Sequence, residues 1–142
     1  MRPVATKAKE LRYAIELTPS GELREENGVA LEPPAEWSPE HLLLAALVRC
    51  SLKSLRYHAE RGGTDVRSSS GRARALVTLR ETDERYAIVE SEVDIAVELD
   101  PEPESTAVAE LLAAAERDCF IGSSLTAEPS YRWTVNGRTI AS

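Results

Sequence analysis

The sequence feature that most constrains the fold is a long apolar run that follows a helix-start signal and contains a cysteine. Residues 38–63 read SPEHLLLAALVRCSLKSLRYHAERGG. Ser38 fits an N-cap, Pro39 fits the first helical position, and Glu40 suits the positive end of a helix dipole. The glycine pair after Arg61 predicts the end of this helix.

The two halves of the predicted helix differ in polarity. The first half, Leu42 to Val48, is apolar on all sides, which is typical of a helix surrounded by protein. The second half carries Lys53, Arg56 and Glu60, so we expect it to emerge toward solvent. We therefore expect a buried central helix around which the rest of the chain is arranged.

Alternation of apolar and polar residues predicts strands on both sides of this helix. One strand begins at Leu11 and leads into a meander of short strands up to about Leu31. Two long antiparallel strands are predicted on either side of a turn at Thr82-Asp83, one with an arginine-rich face and the other with an acidic face. A change in the apolar phase within residues 88–93 predicts a bulge or a bend.

A second helix and a last strand complete the predicted order. Ser105 is expected to cap a helix whose apolar stripe includes Cys119. The last strand carries Tyr131 and Trp133 and closes at Asn136-Gly137. The order of strands, buried helix, two long strands, helix and strand predicts an α+β fold.

Length and charge limit the classes of partner. A chain of 142 residues fits a single domain over residues 1–142. Its net charge of −7 argues against binding to the phosphate backbone of nucleic acid. No stretch approaches the ~18 apolar residues of a membrane span, and the N-terminus lacks the apolar region of a signal peptide. We therefore expect a cytoplasmic protein with neither nucleic acid nor membrane as a partner.

The chain has two cysteines, Cys50 and Cys119, and both fall on apolar stripes of predicted helices. Two thiols from separate helices could therefore meet in one pocket. Peroxide chemistry needs such a pair, because a thiolate that attacks the O–O bond becomes a sulfenic acid and a second thiol condenses with it to a disulfide. The other interpretation is that both cysteines are buried as small apolar side chains.

The segment SPEHLLLAALVRC resembles the central helix of the OsmC/Ohr family, the osmotically inducible protein C and organic hydroperoxide resistance proteins. In that family a Pro-Glu pair opens the helix, and the first active cysteine lies ten residues after the Glu, which is the spacing of Glu40 and Cys50. The second family cysteine follows a short helix of the type AAAERDC, where Cys119 stands. The order of strands and helices is also similar, so the resemblance covers nearly the whole chain.

The resemblance implies an OsmC-like fold, with antiparallel β-sheets around the buried central helix and two chains in an intertwined homodimer. It implies that Cys50 is the peroxidatic cysteine, Cys119 the resolving cysteine and Glu40 an active-site carboxylate. The implied activity is a thiol peroxidase that reduces organic hydroperoxides without a metal or a bound organic cofactor. An external dithiol, for which the family resemblance points to a lipoylated protein, would regenerate it.

The position of Glu40 leaves two interpretations open. Ten residues of straight helix rise about 15 Å, so Glu40 cannot touch Cys50 of its own helix. Glu40 could serve the cysteine of a second chain, since the family places its sites at the subunit interface. It could also stabilise its own helix as a first-turn carboxylate, by ~0.3 to 1 kcal/mol.

One departure concerns the family arginine that holds the reactive cysteine as a thiolate. Its place falls near residues 18–20, which read TPS. Arg24 is the nearest candidate, followed by Arg12, Arg49 and Lys53, and each also fits a solvated surface charge. Without a nearby cation, burial would raise the pKa of the reactive cysteine and suppress its attack.

These residues leave two functions open. In the first, the enzyme prefers alkyl hydroperoxides over hydrogen peroxide because Leu43, Ala46 and Leu47 form apolar walls. In the second, an OsmC-like dimer binds an apolar small molecule or senses oxidation without turnover. A lowered pKa of Cys50 would support the enzyme, and a normal or raised pKa would support the second function. Zinc is not expected, because His41 and the other potential ligands lack closely spaced pairs.

Overall fold

The computed structural model describes residues 8–141, which divide into two compact units, one up to Ser38 and the other from Pro39. The first unit is a three-stranded antiparallel meander in the order β1-β2-β3, with bounds Ile15–Leu17, Leu23–Glu25 and Ala30–Leu31. The predicted meander is confirmed, although its first strand begins at Ile15 rather than at Leu11. Gly28 has a φ of 90° in the turn between β2 and β3, a conformation that glycine adopts without steric cost.

The second unit contains the central helix, a four-stranded sheet and two further helices. Its elements in chain order are α1 (Pro39–Arg61), β4 (Asp65–Arg80), β5 (Arg85–Asp100), α2 (Ser105–Arg117), α3 (Phe120–Ser123), β6 (Ser130–Val135) and β7 (Arg138–Ala141). The predicted start and end of α1 and the predicted pair of long strands are therefore confirmed. The predicted α+β fold class is also confirmed. Within residues 8–141, no helix combines the length and apolarity needed to span a membrane.

The sheet of the second unit has the strand order β4-β5-β6-β7. Two of its three pairings are antiparallel, but β5 and β6 run parallel, which the expectation of antiparallel sheets did not include. A parallel pair needs a crossover connection, and the segment with α2 and α3 supplies it. The turn at Asn136 and Gly137, both with positive φ, leads into β7, an additional strand that the sequence did not predict.

The β4–β5 ladder carries ion pairs between its arginine-rich and acidic strands, and it carries the predicted bulge. Arg74 pairs with Glu92 at 2.8 Å, and Arg72 lies 4.0 Å from Asp94. The register shifts between Leu76 and Val77, which pair with Glu90 and Ile88 and leave the residue between them without a partner. The shift falls within the predicted region.

The buried face of α1 differs from the sequence-based expectation. Its buried residues are Leu47, Ser51, Ser54, Leu55 and Ala59, mostly in the second half, whereas residues 42–46 are only half-buried. The expectation that the first half is enclosed and the second emerges is therefore wrong for a single chain. The reason is the four-residue spacing of the buried stripe, which packs the second half into the core despite the charges on its other side.

The segment around Cys119 also differs from the prediction. The stripe of α2 is confirmed, since Val108, Leu112 and Ala115 are buried. However, Glu104 rather than Ser105 occupies the N-cap position, without a side-chain hydrogen bond. Cys119 lies beyond the end of α2 and is the N-cap residue of α3. The position of Cys119 is thus set by the turn between two helices.

Candidate active site

The second unit brings its two cysteines into contact. Cys50 lies on α1 and Cys119 in the turn between α2 and α3, and both are free thiols that interact with each other. The backbone N–H of Ile121 donates to Cys50 Sγ at 3.5 Å. The contact thus joins the central helix to the crossover between β5 and β6.

The two thiols differ in exposure. Cys119 is fully buried, with 0% of its surface exposed, whereas Cys50 is half-buried. Of the two residues, only Cys50 therefore presents surface to an external reagent within one chain.

Burial raises the pKa of Cys50, and the neighbouring Cys119 thiol raises it further. Hydrogen bonds from the backbone N–H groups of Ile121 and Phe120 oppose this effect, and the N–H of Ile121 contributes more. Within the described part of the chain, no cation is among the leading causes of the shift in the pKa of Cys50. A single chain therefore disfavours the reactive thiolate.

Cys119 is surrounded by hydrogen-bonding groups that the sequence did not single out. Gly122 N–H donates to Cys119 Sγ at 3.4 Å, and Ser51 Oγ lies 3.6 Å from the same sulfur. Ser51 Oγ lies 2.9 Å from Tyr131 Oη and donates to the carbonyl of Leu47 at 2.8 Å. Ser51, Tyr131 and Cys119 thus form one buried polar cluster.

Tyr131 is held rigidly in this cluster. Its ring stacks on Trp133, with the ring centroids 5.7 Å apart and the planes 6° from parallel. Trp133 in turn donates its indole N–H to Glu116 Oε2 at 2.8 Å. Burial raises the pKa of Tyr131, and its interactions with Cys119 add to that effect, so the phenol remains protonated.

The sequence contained one clue to this cluster. Ser51 interrupts the series of apolar side chains that includes Leu47 and Leu55, so a polar group on the core face was visible before the structure. Its partner Tyr131 lies 80 residues further along the chain. No local pattern connects residues at that separation, and the sequence placed Tyr131 only on the last predicted strand.

The structure does not bring Glu40 to Cys50. Glu40 is an exposed residue in the first turn of α1, about 15 Å along the helix axis from Cys50. Arg24 lies on β2 of the first unit, where its guanidinium pairs with Glu22 at 2.8 Å. Within one chain, Glu40 and Cys50 form no common site.

The other candidate cations are surface residues. Arg49 and Lys53 flank Cys50 on α1, but both side chains are exposed. Arg12 is also exposed and forms an ion pair with Glu10 at 2.5 Å. None of the three is among the leading causes of the shift in the pKa of Cys50.

A charged cluster connects the turn at Cys119 to the second half of α1. His58 Nε2 lies 2.8 Å from Asp118 Oδ2, and Arg117 pairs with the same carboxylate at 2.9 Å. Arg117, with a smaller contribution from His58, lowers the pKa of Asp118 to about 2. Because Asp118 immediately precedes Cys119, this contact fixes one side of the thiol-bearing turn.

The described residues contain no metal-binding cluster, and the cleft found on the second unit is not lined by the cysteines. No three His, Cys, Asp or Glu side chains among them lie close enough to hold a metal ion. A cleft of about 440 Å³ lies on β4, β5 and β6 and is lined by Arg72, Ala73, Arg74, Glu92, Val93, Asp94, Ser130, Tyr131 and Arg132. Neither cysteine lines this cleft.

Comparison with known structures extends these observations. An OsmC-like protein of unknown function from Vibrio cholerae has 15% sequence identity and a TM-score of 0.68, covering 90% of this chain and 99% of that one. An organic hydroperoxide resistance protein from Elizabethkingia anophelis has 16% identity and a TM-score of 0.63, covering 89% and 96%. The organic hydroperoxide resistance protein OsmC from Legionella pneumophila has 16% identity and a TM-score of 0.56, covering 91% and 98%. At these identities the likeness shows a shared fold.

Comparison at the level of sequence identifies the family. No curated protein is a significant match to the chain. The family model described as OsmC-like protein matches residues 32–134, which include the central helix, the long strand pair, both cysteines and Tyr131. Since this match covers most of the sequence and the fold agrees with it, the chain belongs to the OsmC-like protein family.

Proposed function

We propose that this protein is a cysteine-based thiol peroxidase that reduces organic hydroperoxides through a disulfide between Cys50 and Cys119. The observation that carries the proposal is the contact between a half-buried thiol and a fully buried one. The names of two structural neighbours, organic hydroperoxide resistance proteins, support the substrate class. The roles implied for Cys50 and Cys119 are therefore peroxidatic and resolving.

The chemistry uses both thiols in turn. The thiolate of Cys50 attacks one oxygen of the hydroperoxide, the O–O bond breaks, and the alcohol leaves after it takes up a proton. Cys50 then carries a sulfenic acid. The sulfur of Cys119 attacks that of Cys50, a disulfide forms, and the hydroxyl leaves as water with the proton of Cys119.

The thiolate of Cys50 requires stabilisation beyond the backbone N–H of Ile121, because burial raises its pKa. We propose that an intertwined homodimer completes the site, with Glu40 contributed by the second chain and Arg24 as the stabilising cation. The distance of Glu40 from Cys50 along α1 supports a role for it in a second chain. An arginine beside the sulfur would lower the pKa of the thiol and favour its ionised form.

Reduction of the disulfide requires an external dithiol, for which the family resemblance points to a lipoylated protein. Leu43 and Ala46 are half-buried on the turns of α1 before Cys50, and Leu47 is buried. These apolar side chains favour an alkyl substituent on the peroxide over hydrogen peroxide. The substrate class is therefore an organic hydroperoxide.

One observation favours a second candidate function. The raised pKa of Cys50 is the result expected for a protein that binds an apolar small molecule or senses oxidation without turnover. Such a protein would oxidise slowly and would show no catalytic consumption of hydroperoxide. The two functions therefore differ in rate and turnover.

The test is a stoichiometric reaction of the reduced protein with one equivalent of cumene hydroperoxide, followed by intact mass and free thiols. We expect rapid loss of both thiols and of two hydrogens in the wild type, and a sulfenic acid trapped at Cys50 in the Cys119→Ser variant. Hydrogen peroxide should react more slowly. Two unreacted thiols after minutes would contradict the peroxidase and leave the second candidate.

A further inference from the structure

The peroxidase chemistry above does not use the two hydroxyl groups next to Cys119. Ser51 Oγ lies 3.6 Å from Cys119 Sγ and 2.9 Å from Tyr131 Oη. Ser51 is 0% exposed and Tyr131 is 6% exposed. Burial of a polar group costs free energy unless the group is hydrogen-bonded. Each of the two hydroxyls therefore needs a hydrogen-bond partner.

The cluster is satisfied while Cys119 is a neutral thiol. Ser51 donates its proton to the carbonyl of Leu47 at 2.8 Å, so the protonated phenol of Tyr131 donates to Ser51 Oγ. The second lone pair of Ser51 faces Cys119. The sulfur of Cys119 itself accepts the N–H of Gly122 at 3.4 Å.

The same groups can supply donors to a negatively charged sulfur. Gly122 N–H already donates to Cys119 Sγ. A rotation about the Cβ–Oγ bond of Ser51 or about the Cζ–Oη bond of Tyr131 would turn a hydroxyl proton toward that sulfur. Hydrogen bonds to an ionised acceptor are about twice as strong as neutral ones, so ionisation of Cys119 would draw both hydroxyls to it.

The cysteine that an external thiolate can reach determines the step in which Cys119 becomes negatively charged. In the reduced chain Cys50 is half-buried and Cys119 is fully buried, and a disulfide at these positions would keep that difference in access. An external thiolate can therefore reach Cys50, and the sulfur of Cys119 is the one that must depart. Exchange is faster when the departing thiolate is better stabilised.

We propose that Ser51 and Tyr131 stabilise Cys119 as the departing thiolate when an external dithiol reduces the disulfide. This inference rests on the proposed function for the disulfide and the dithiol. In the first step a thiolate of the reductant bonds to Cys50 Sγ, the Cys50–Cys119 bond breaks, and its electron pair goes to Cys119 Sγ. In the second step the other thiol of the reductant, as a thiolate, displaces Cys50. The two protons from the dithiol end on the two cysteines.

The test measures the reduction of a disulfide that was made without peroxide. Diamide joins the two cysteines in the wild type and in the Ser51→Ala and Tyr131→Phe variants, and dithiothreitol then reduces them. We expect each variant to be reduced roughly 3- to 10-fold more slowly, as befits loss of one hydrogen bond to the departing sulfur. Equal rates in all three proteins would overturn the inference, as would failure of diamide to join Cys50 to Cys119.

Two control variants match the chemical changes. Ser54→Ala removes a second buried hydroxyl from α1, one that has no hydrogen-bond partner among the described residues. Tyr57→Phe removes a phenolic hydroxyl from an exposed residue of the same helix. Both controls should be reduced at the wild-type rate, and an equal slowing in them would overturn the inference.

Two further measurements separate a role in reduction from a merely structural one. A limiting amount of a monothiol, 2-mercaptoethanol, should leave its adduct on Cys50, and an adduct on Cys119 would overturn the inference. Alkylation of Cys50 by iodoacetamide should proceed at the wild-type rate in reduced Tyr131→Phe, because the phenol does not act on that sulfur. Since diamide replaces hydroperoxide, these results do not depend on whether the protein consumes hydroperoxide.

Discussion

At the scale of single residues, the main finding is that one chain places two thiols in contact, while no cation of the described residues is among the leading causes that shift the pKa of Cys50. Burial and the neighbouring thiol both act against ionisation of Cys50, and only backbone N–H groups act for it. The reactivity of Cys50 therefore shows whether further groups stabilise its thiolate in the assembled protein.

This balance predicts the pH dependence of alkylation at Cys50. Because burial and the second thiol raise the pKa of Cys50 where no cation opposes them, its rate of reaction with iodoacetamide in the Arg24→Gln variant should still be rising at a pH where an ordinary thiol is fully ionised, whereas the wild-type rate should level off at lower pH. Replacement of Cys119 by Ser removes the contribution of the second thiol, so the midpoint in the Cys119→Ser variant should move to lower pH. The measurement is the alkylation rate from pH 6 to pH 11, with Cys50→Ser as a blank.

The opposite result would be equally informative. A wild-type midpoint above that of a free cysteine would contradict the proposed cation and favour the second candidate function. A wild-type midpoint that is low and unchanged in Arg24→Gln would show that a cation other than Arg24 reaches the sulfur.

At the scale of elements, the contact between His58 on α1 and Asp118 before α3 connects two segments of the candidate site. The pKa of Asp118 is lowered to about 2 from an ordinary value of 3.8. A carboxylate with a lowered pKa in the folded state contributes stability that is present above its ordinary value and is lost as the pH falls through the folded value.

The prediction is that Asp118→Asn lowers the urea midpoint at pH 6 and has much less effect at pH 2. Urea unfolding at both pH values provides the measurement. A matched control is Glu110→Gln, a change of an exposed carboxylate on α2. A loss of stability from Asp118→Asn that is the same at both pH values would show that the ion pairs of Asp118 are not its cause.

Elements also show what the sequence could predict. The bounds of α1 were predicted correctly because the signals for them, Pro39 at the start and the glycine pair after Arg61, are local. The burial of its two halves was predicted wrongly, since packing against the rest of the unit decides it. The parallel pairing of β5 with β6 was missed because the direction of a strand depends on the crossover.

In the candidate site, too, some contacts could be predicted from the sequence and others depend on the tertiary structure. The contact of Cys50 with Cys119 was expected from apolar patterns and from a family resemblance. The contact of Ser51 with Tyr131 was not, because it joins residues 80 positions apart and neither belongs to the quoted motifs. Sequence patterns therefore identified the thiols, and only the tertiary structure identified the hydroxyls that surround one of them.

At the scale of the whole molecule, an apolar patch lies on the outer part of the β4–β5 hairpin. Leu79 and Tyr86 face each other across the two strands and are 46% and 76% exposed. Val77 lies on the same face, two residues from Leu79, and is 42% exposed. Contiguous exposed apolar side chains of this kind mark interaction surfaces, which agrees with the proposed homodimer.

We therefore predict that the protein is a dimer in solution and that Leu79→Glu weakens it at least 10-fold in dissociation constant, because a charge would be buried in the interface. Sedimentation equilibrium over a range of concentrations measures both. Thr78→Glu is the matched control, since its side chain points to the other face of the same strand and is exposed. A monomer, or an equal effect of the two substitutions, would count against this interface.

The crossover that delivers Cys119 to α1 has a consequence for heat resistance. A disulfide between positions 50 and 119 would enclose about 70 residues, and closing such a loop in the unfolded chain is worth about 4 kcal/mol in the chain-entropy treatment. The oxidised protein would then melt at a higher temperature than the reduced one. A cell under oxidant load would hold this protein in its more heat-resistant form, and reductant would return it to the more labile one.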